Sequence, residues 1–289
     1  MISFAELTLY RVVLQAMAHT ERHDGRAESI DRWVDGLQAH GRYTFTRTEA
    51  AIAIHRSDLR LTKALGRLVR KRRIVSPRRG FYVIVPLEFS IPGAPPADWF
   101  IDRLMGFIGH RYYVGLLTAA AIHGAAHQQP QQFQVVAEVP LRPVSVGRVR
   151  ITFVKKAGIA VCPTVQVNTS TGTMTVGTPE VTALDLVRYP AQAGGLDNVA
   201  TVLAELAEQV EPSRFVEVIE ETGVESSVVQ RLGFLLDLVE QHDVASVLAT
   251  WVGDRSPTVV SLRPNRPTSG ARTDARWRLR VNDRVEPDL

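Results

Sequence analysis

Ser57-Asp58-Leu59-Arg60-Leu61-Thr62-Lys63-Ala64-Leu65-Gly66-Arg67-Leu68-Val69-Arg70-Lys71 is the stretch on which the reading of this chain turns. Leu61, Leu65 and Leu68, with Ala64 and Val69, recur at helical spacing and predict one apolar face. Arg60, Lys63, Arg67 and then Arg70 or Lys71 step by three or four along a different face. Ser57 has the chemistry of an N-cap. Such a helix packs by its leucines and presents its cations. The major groove of B-DNA, about 12 Å wide, admits one α-helix, whose N-terminal residues reach base edges. Ser57, Arg60 and Lys63 are therefore candidates for base reading. Arg67, Arg70 and Lys71 are better placed for phosphates, which position a protein without reading sequence.

The flanking residues extend the pattern. Ile30, Trp33, Val34 and Leu37 predict an amphipathic helix from about Ser29 to Gly41, and Tyr43-Thr44-Phe45 a short strand. Thr46-Arg47-Thr48-Glu49 has capping-box form, in which hydroxyl and carboxylate each satisfy an orphan N–H. It opens a short Ala/Ile-rich helix, with His55-Arg56 as the turn into the cationic one. Downstream, Ile74-Val75 and the run 81–85 read as two strands joined by Ser76-Pro77-Arg78-Arg79-Gly80. Helix, strand, capped helix, cationic helix and cationic hairpin is the order of a winged helix-turn-helix, placed at 28–85. Arg47, Thr48, Arg78 and Arg79 complete the candidate DNA-binding set. A module used only for protein contact leaves the two hairpin-tip arginines unexplained.

Charge is distributed to match. Net charge is only +4, but residues 42–80 hold 12 basic and 2 acidic groups. Solubilising faces usually mix both signs, so this block reads as a footprint for nucleic acid. Residues 195–254 are the reverse, with 12 acidic and 2 basic groups. They form a solvated helix face, a docking face for a basic partner, or a seat for the chain's own arginine-rich tail.

Pro86, Pro92, Gly93, Pro95 and Pro96 punctuate 86–97 and place a linker there. Beyond it, 98–108 and 114–126 read as helices, and 132–139, 148–154, 164–167 and 173–176 as strands. A helix starts at Pro179. Mostly helical pattern then runs to Gly253, followed by a loop and a last strand at 276–281. The fold class is α+β: a 28–85 DNA-binding domain, the 86–97 linker and a mixed 98–289 domain. Residues 1–27 form an extension without assigned role.

Catalytic signals are few. His123 and His127 are four apart with no general-base Glu between them, and His19 and His23 repeat the spacing. Neither pair has further metal ligands to join it. Phosphate loops, nucleophile elbows and paired cysteines are missing, and nothing distinguishes Glu180 or Asp185 among the carboxylates. No enzyme activity, cofactor or metal is expected. A single cysteine, Cys162, no secretory signal and no membrane-length apolar run suggest a cytoplasmic protein without a membrane partner.

Five stretches together resemble one family: 41–46 (GRYTFT), 80–86 (GFYVIVP), 112–124 (YYVGLLTAAAIHG), 178–190 (TPEVTALDLVRYP) and 276–289. The chain is similar to AbiEi, the antitoxin of type IV (AbiE abortive-infection) toxin–antitoxin systems, also described as transcriptional regulators of viral defence. The resemblance covers roughly 28–289. It implies a winged helix that represses its own operon at inverted repeats in double-stranded promoter DNA. It also implies a C-terminal antitoxin domain that counteracts a co-encoded nucleotidyltransferase toxin without a stable complex. The alternative is a stand-alone regulator whose C-terminal domain senses a ligand or partner.

Overall fold

The computed structural model describes residues 29–54, 58–125 and 130–288. The 55–57 turn with its Ser57 cap, His19, His23, His127 and the 1–27 extension lie outside them. Helix α1 (Ile30–Ala39) is capped by the Ser29 hydroxyl, which accepts from the Arg32 amide. Strand β1 (Thr44–Thr46) leads into α2 (Arg47–Ile54). Here the capping box forms in full: Thr46 N–H donates to Glu49 Oε2 at 2.7 Å and Glu49 N–H to Thr46 Oγ1 at 3.1 Å. In α3 (Asp58–Arg70), Leu61, Ala64, Leu65 and Leu68 turn inward onto Ile30, Val34, Phe45 and Ile54. Val69, expected on this face, is instead 41% exposed, because the next step around the helix carries it past the buried stripe.

Strands β2 (Ile74–Arg78) and β3 (Phe81–Ile84) form an antiparallel hairpin, with β1 on the far side of β3. The five-residue junction expected at 76–80 is shorter. Strand β2 runs on through a bulge to Arg78, and Gly80 turns the chain at φ +88°. Side chains alternate along β3. Ile84 and Tyr82 join the α1–α3 core, whereas Phe81 and Val83 enter a second core.

That second core explains why 86–97 is no free spacer. Proline excludes α-helix but not tight turns, and 3₁₀ turns form at Leu87–Phe89 and Ala97–Trp99. Ala94 and Ala97 are buried with Phe81 and Val83. Arg148 N–H donates to the Pro92 carbonyl at 2.8 Å. At Gly147 (φ +53°) the backbone approaches 92–94 so closely that no Cβ fits.

The rest is built on a mixed six-stranded sheet. Helix α4 (Ile101–Ile108) is followed by β4 (Tyr112–Val114), α5 (Leu116–Ile122), β5 (Phe133–Ala137), β6 (Val144–Val146), β7 (Val149–Lys155), β8 (Thr164–Thr169) and β9 (Gly172–Gly177). The order is β6-β7-β5-β4-β9-β8, with β5/β7 and β4/β9 parallel. Strands β4 and β6 give no sequence signal, being three residues each and too short to show alternation. One sheet face buries Val114, Val135 and Ile151 in the core shared with β3. Tyr113 and Val136 join a third core. It is formed with α6 (Pro179–Arg188), α7 (Leu196–Leu206), α8 (Pro212–Thr222), α9 (Ser226–Leu238) and α10 (His242–Arg255). Thr178 caps α6, with Pro179 at its first position as expected.

A small sheet, β10 (Val260–Ser261), β12 (Leu279–Val281) and β11 (Arg272–Asp274), ends the chain. The Trp277 indole lies so close over Gly233 of α9 that no Cβ fits between them, and its N–H donates to Asp237 at 2.6 Å. The arginine-rich tail settles on the acidic helices, with ion pairs Arg263–Asp197, Arg276–Asp237 and, from the end of α10, Arg255–Glu220. No helix among the described residues is long and apolar enough to cross a membrane.

One buried ion pair ties the sheet to the helices. Lys156, just after β7, donates to Asp185 of α6 at 2.7 Å and to the Tyr113 hydroxyl at 3.0 Å, and Tyr113 donates to Asp185 at 2.6 Å. Asp185 is fully buried and Lys156 is 7% exposed. Burial opposes the lysine charge, but the adjacent carboxylate outweighs it and holds the ammonium above its usual range. Burial, reinforced by Asp185, drives the Tyr113 phenol far upward, so it stays a donor.

Asp185→Ala should cost about 3–5 kcal/mol in urea unfolding, because it leaves a buried charge unpaired. Tyr113→Phe should cost about 1 kcal/mol. The folded state holds the Lys156 proton more tightly than the unfolded chain, whose lysines titrate near pH ~10.4. The pair's contribution is therefore complete below that pH and fades only as pH rises through the raised value; Lys156→Met should remove this alkaline decline. Gly233→Ala should displace Trp277 and cost about 1–3 kcal/mol, read as a lowered midpoint with quenching or shift of tryptophan fluorescence.

Candidate nucleic-acid interface

The cationic face of α3 is set by its apolar one. With Leu61, Leu65 and Leu68 held at 2% exposure or less, the helix cannot rotate, and Arg60, Lys63, Arg67 and Arg70 project into solvent. Lys71 continues the stripe. Arg72, which takes a left-handed φ of +56° as the helix ends, is exposed beside it.

The arginines divide by what they touch. Arg73 is a structural clamp, donating to Asp35 at 2.7 Å, Gln38 at 2.7 Å and the Val85 carbonyl at 3.1 Å, which fixes the end of α3 to α1 and β3. Arg47, in the first turn of α2, donates to Asp58 at 2.6 Å and Thr62 at 2.7 Å. It thereby ties the first turn of α3 to the first turn of α2. Arg67 pairs with Asp31 of α1 at 2.7 Å. Arg78 donates to the Arg142 carbonyl. Among the described residues, Arg60, Lys63, Arg70, Lys71 and Arg79 have no ion-pair partner, and Thr48 is exposed near Arg47. The expected set thus splits into outward cations and cations already engaged by the protein.

Leu59 is missed by sequence reasoning. It is 66% exposed in the first turn of α3, next to Arg60. The signal is its place two residues before Leu61, off the leucine face. Elsewhere, the His123 ring contacts the Gly177 carbonyl at 2.7 Å, joining α5 to β9. A cleft of about 620 Å³ opens beside β5 and β7, lined by Gln132, Gln134, Phe153, Lys155, Tyr189 and Gln192.

Comparison with known proteins bears on the second half of the chain. Residues 113–238, which run from β4 to the end of α9, match the family model of the AbiEi antitoxin C-terminal domain. No curated protein matches the chain. The crystal structure of RV2827C protein from Mycobacterium tuberculosis superposes with a TM-score of 0.62, covering 89% of this chain and 92% of that one at 16% identity. At that identity the likeness is one of fold alone. The match places an AbiEi-type antitoxin C-terminal domain at residues 113–238 and supports an antitoxin role for the chain.

Proposed function

We propose that this chain is the antitoxin of a type IV system and represses its own operon. In this reading 28–85 is a winged helix-turn-helix that binds double-stranded promoter DNA at inverted repeats. The 98–289 region counteracts a co-encoded nucleotidyltransferase toxin without a stable complex, in the cytoplasm, and no catalytic step is assigned to the chain. The carrying observation is the outward stripe of Arg60, Lys63, Arg70 and Lys71 on a helix locked by buried leucines.

Laid in a major groove, α3 brings its N-terminal turns to the bases. Arg60 and Lys63 then face guanine acceptors, and Leu59 suits a thymine methyl. Arg70, Lys71 and the hairpin-tip Arg79 meet phosphates, with Thr48 at the start of α2 as a further hydroxyl donor. Arg47 serves by holding Asp58 and Thr62, and Arg78 by holding the hairpin. Arg67 contributes less than its neighbours, because Asp31 already neutralises it. The Gln-rich cleft favours a second reading, a stand-alone regulator that senses a ligand, since its volume suits a small molecule.

Arg70→Ala with Lys71→Ala should weaken binding to specific and random duplexes alike and lower the salt slope by about 0.9 for each phosphate no longer neutralised. Arg67→Ala should change it less. Arg60→Ala or Lys63→Ala should cost about 1–3 kcal/mol on the operator and relax preference at one base pair; equal weakening on operator and random DNA would rule out base reading. Coexpression with the neighbouring gene separates the two readings. Rescue from a toxic nucleotidyltransferase by both wild type and Arg60→Ala/Lys63→Ala supports the antitoxin with divided roles. No rescue by wild type favours the stand-alone regulator.

A further inference from the structure

The six-stranded sheet ends in an open edge. Strand β8 pairs with β9 on one side, and among the described residues the backbone of 164–169 has no hydrogen-bond partner outside that ladder. Thr164, Val165, Gln166 and Asn168 are exposed. Proteins blunt such edges with charges, proline, bulges, short strands or a covering element. The opposite edge follows this rule: β6 is three residues long and lies against β2, which itself carries Pro77 and a bulge. Strand β8 has none of these devices. It runs six residues in unbroken register, contains no proline, and sits in a segment, 157–179, without one charged side chain.

A row of free N–H and C=O groups is satisfied in full by one more extended backbone. The sequence of β8 is complementary to itself. Val165 and Val167 lie opposite Val176 and Met174, both buried, so the valines share the core-facing side of the sheet. Thr164, Gln166 and Asn168 share the other side, where Gln166 Nε2 donates to Thr175 Oγ1 at 3.0 Å. Two copies of β8 laid antiparallel about a two-fold axis at Gln166 set Val165 opposite Val167 in both halves. Thr164 then meets Asn168, and Gln166 meets Gln166 of the second copy. Valine thus meets valine and hydroxyl meets amide, whereas a slip of one residue sets side chains of opposite faces against each other. Val161, 53% exposed in the 3₁₀ turn before β8, extends the uncharged surface at both ends.

We propose that β8 is a homodimerisation edge, pairing antiparallel with β8 of a second copy of this chain across a two-fold axis at Gln166. The axis lies five strand spacings from β6, about 24 Å, so α3 and the β2–β3 hairpin stay outside the contact. The inference stands on the sheet edge and does not depend on DNA binding.

The test uses the full chain in sedimentation equilibrium over a concentration series. Wild type should reach twice the 32.0 kDa monomer mass. Gln166→Lys brings two ammonium groups together on the axis and should weaken self-association at least about tenfold, with an unchanged thermal midpoint by circular dichroism confirming the fold. Gln166→Cys reads the register, because only this pairing brings the two introduced thiols together: diamide should oxidise them to one intermolecular disulfide. Wild type, whose Cys162 is buried, and Thr171→Cys, at the far end of the hairpin, should stay uncrosslinked. A wild type that remains monomeric at high micromolar concentration would overturn the proposal. So would a dimer that Gln166→Lys leaves intact and Gln166→Cys fails to crosslink, since another surface would then hold it. A monomeric wild type that retains the coexpressed product of the neighbouring gene, with Gln166→Lys losing it, would overturn self-pairing and give the edge to that partner.

Discussion

Four consecutive side chains of β3 hold this molecule in one piece. Phe81 and Val83 point into the core between the six-stranded sheet and α4, while Tyr82 and Ile84 point into the core of α1–α3. A strand presents successive residues to opposite faces, so one short strand is a wall of two cores. The helical module cannot shift relative to the antitoxin domain without uncovering apolar surface on both sides. Tyr43 against Trp99, with ring centroids 4.9 Å apart, and Phe81 against Phe107 at 5.4 Å add aromatic contact across the same junction. The outward stripe of α3 is consequently held fixed relative to the six-stranded sheet.

What is legible in the sequence is local. The capping box at Thr46–Glu49 depends on residues three apart, and the leucine face of α3 on residues three and four apart, so both are visible in the chain itself. The cationic face follows from the same periodicity. The hairpin is legible from Pro77 and Gly80, although its exact turn is not. Matters fixed by distant partners are hidden. Asp185 carries nothing in its neighbourhood to separate it from other carboxylates. Its partners, Lys156 and Tyr113, lie 29 and 72 residues away, and only the fold brings them together. Arg67 looks like a free phosphate ligand in sequence, yet Asp31, 36 residues upstream, engages it. The proline-rich stretch looks like a tether because proline speaks against regular helices; it does not speak against burial.

The acidic helices show how charge patterns mislead when taken alone. Part of their charge is neutralised internally, Asp197 and Asp237 by the arginine tail and Glu220 by Arg255 at the end of α10. The basic block of 42–80 behaves similarly in part, since Arg42, Arg47, Arg67 and Arg73 have acidic partners. What distinguishes the α3 stripe is the remainder, a set of cations held outward by a buried face and matched by no acid among the described residues.

Hydrogen–deuterium exchange of the full chain, with and without a duplex from its own upstream region, reads this surface directly. The account predicts slowed exchange on DNA at residues 58–71 and at the hairpin around Arg79, with the leucine core of α3 already protected in the free protein. Protection confined to the C-terminal helices, with 58–71 unaffected by saturating duplex, would contradict it.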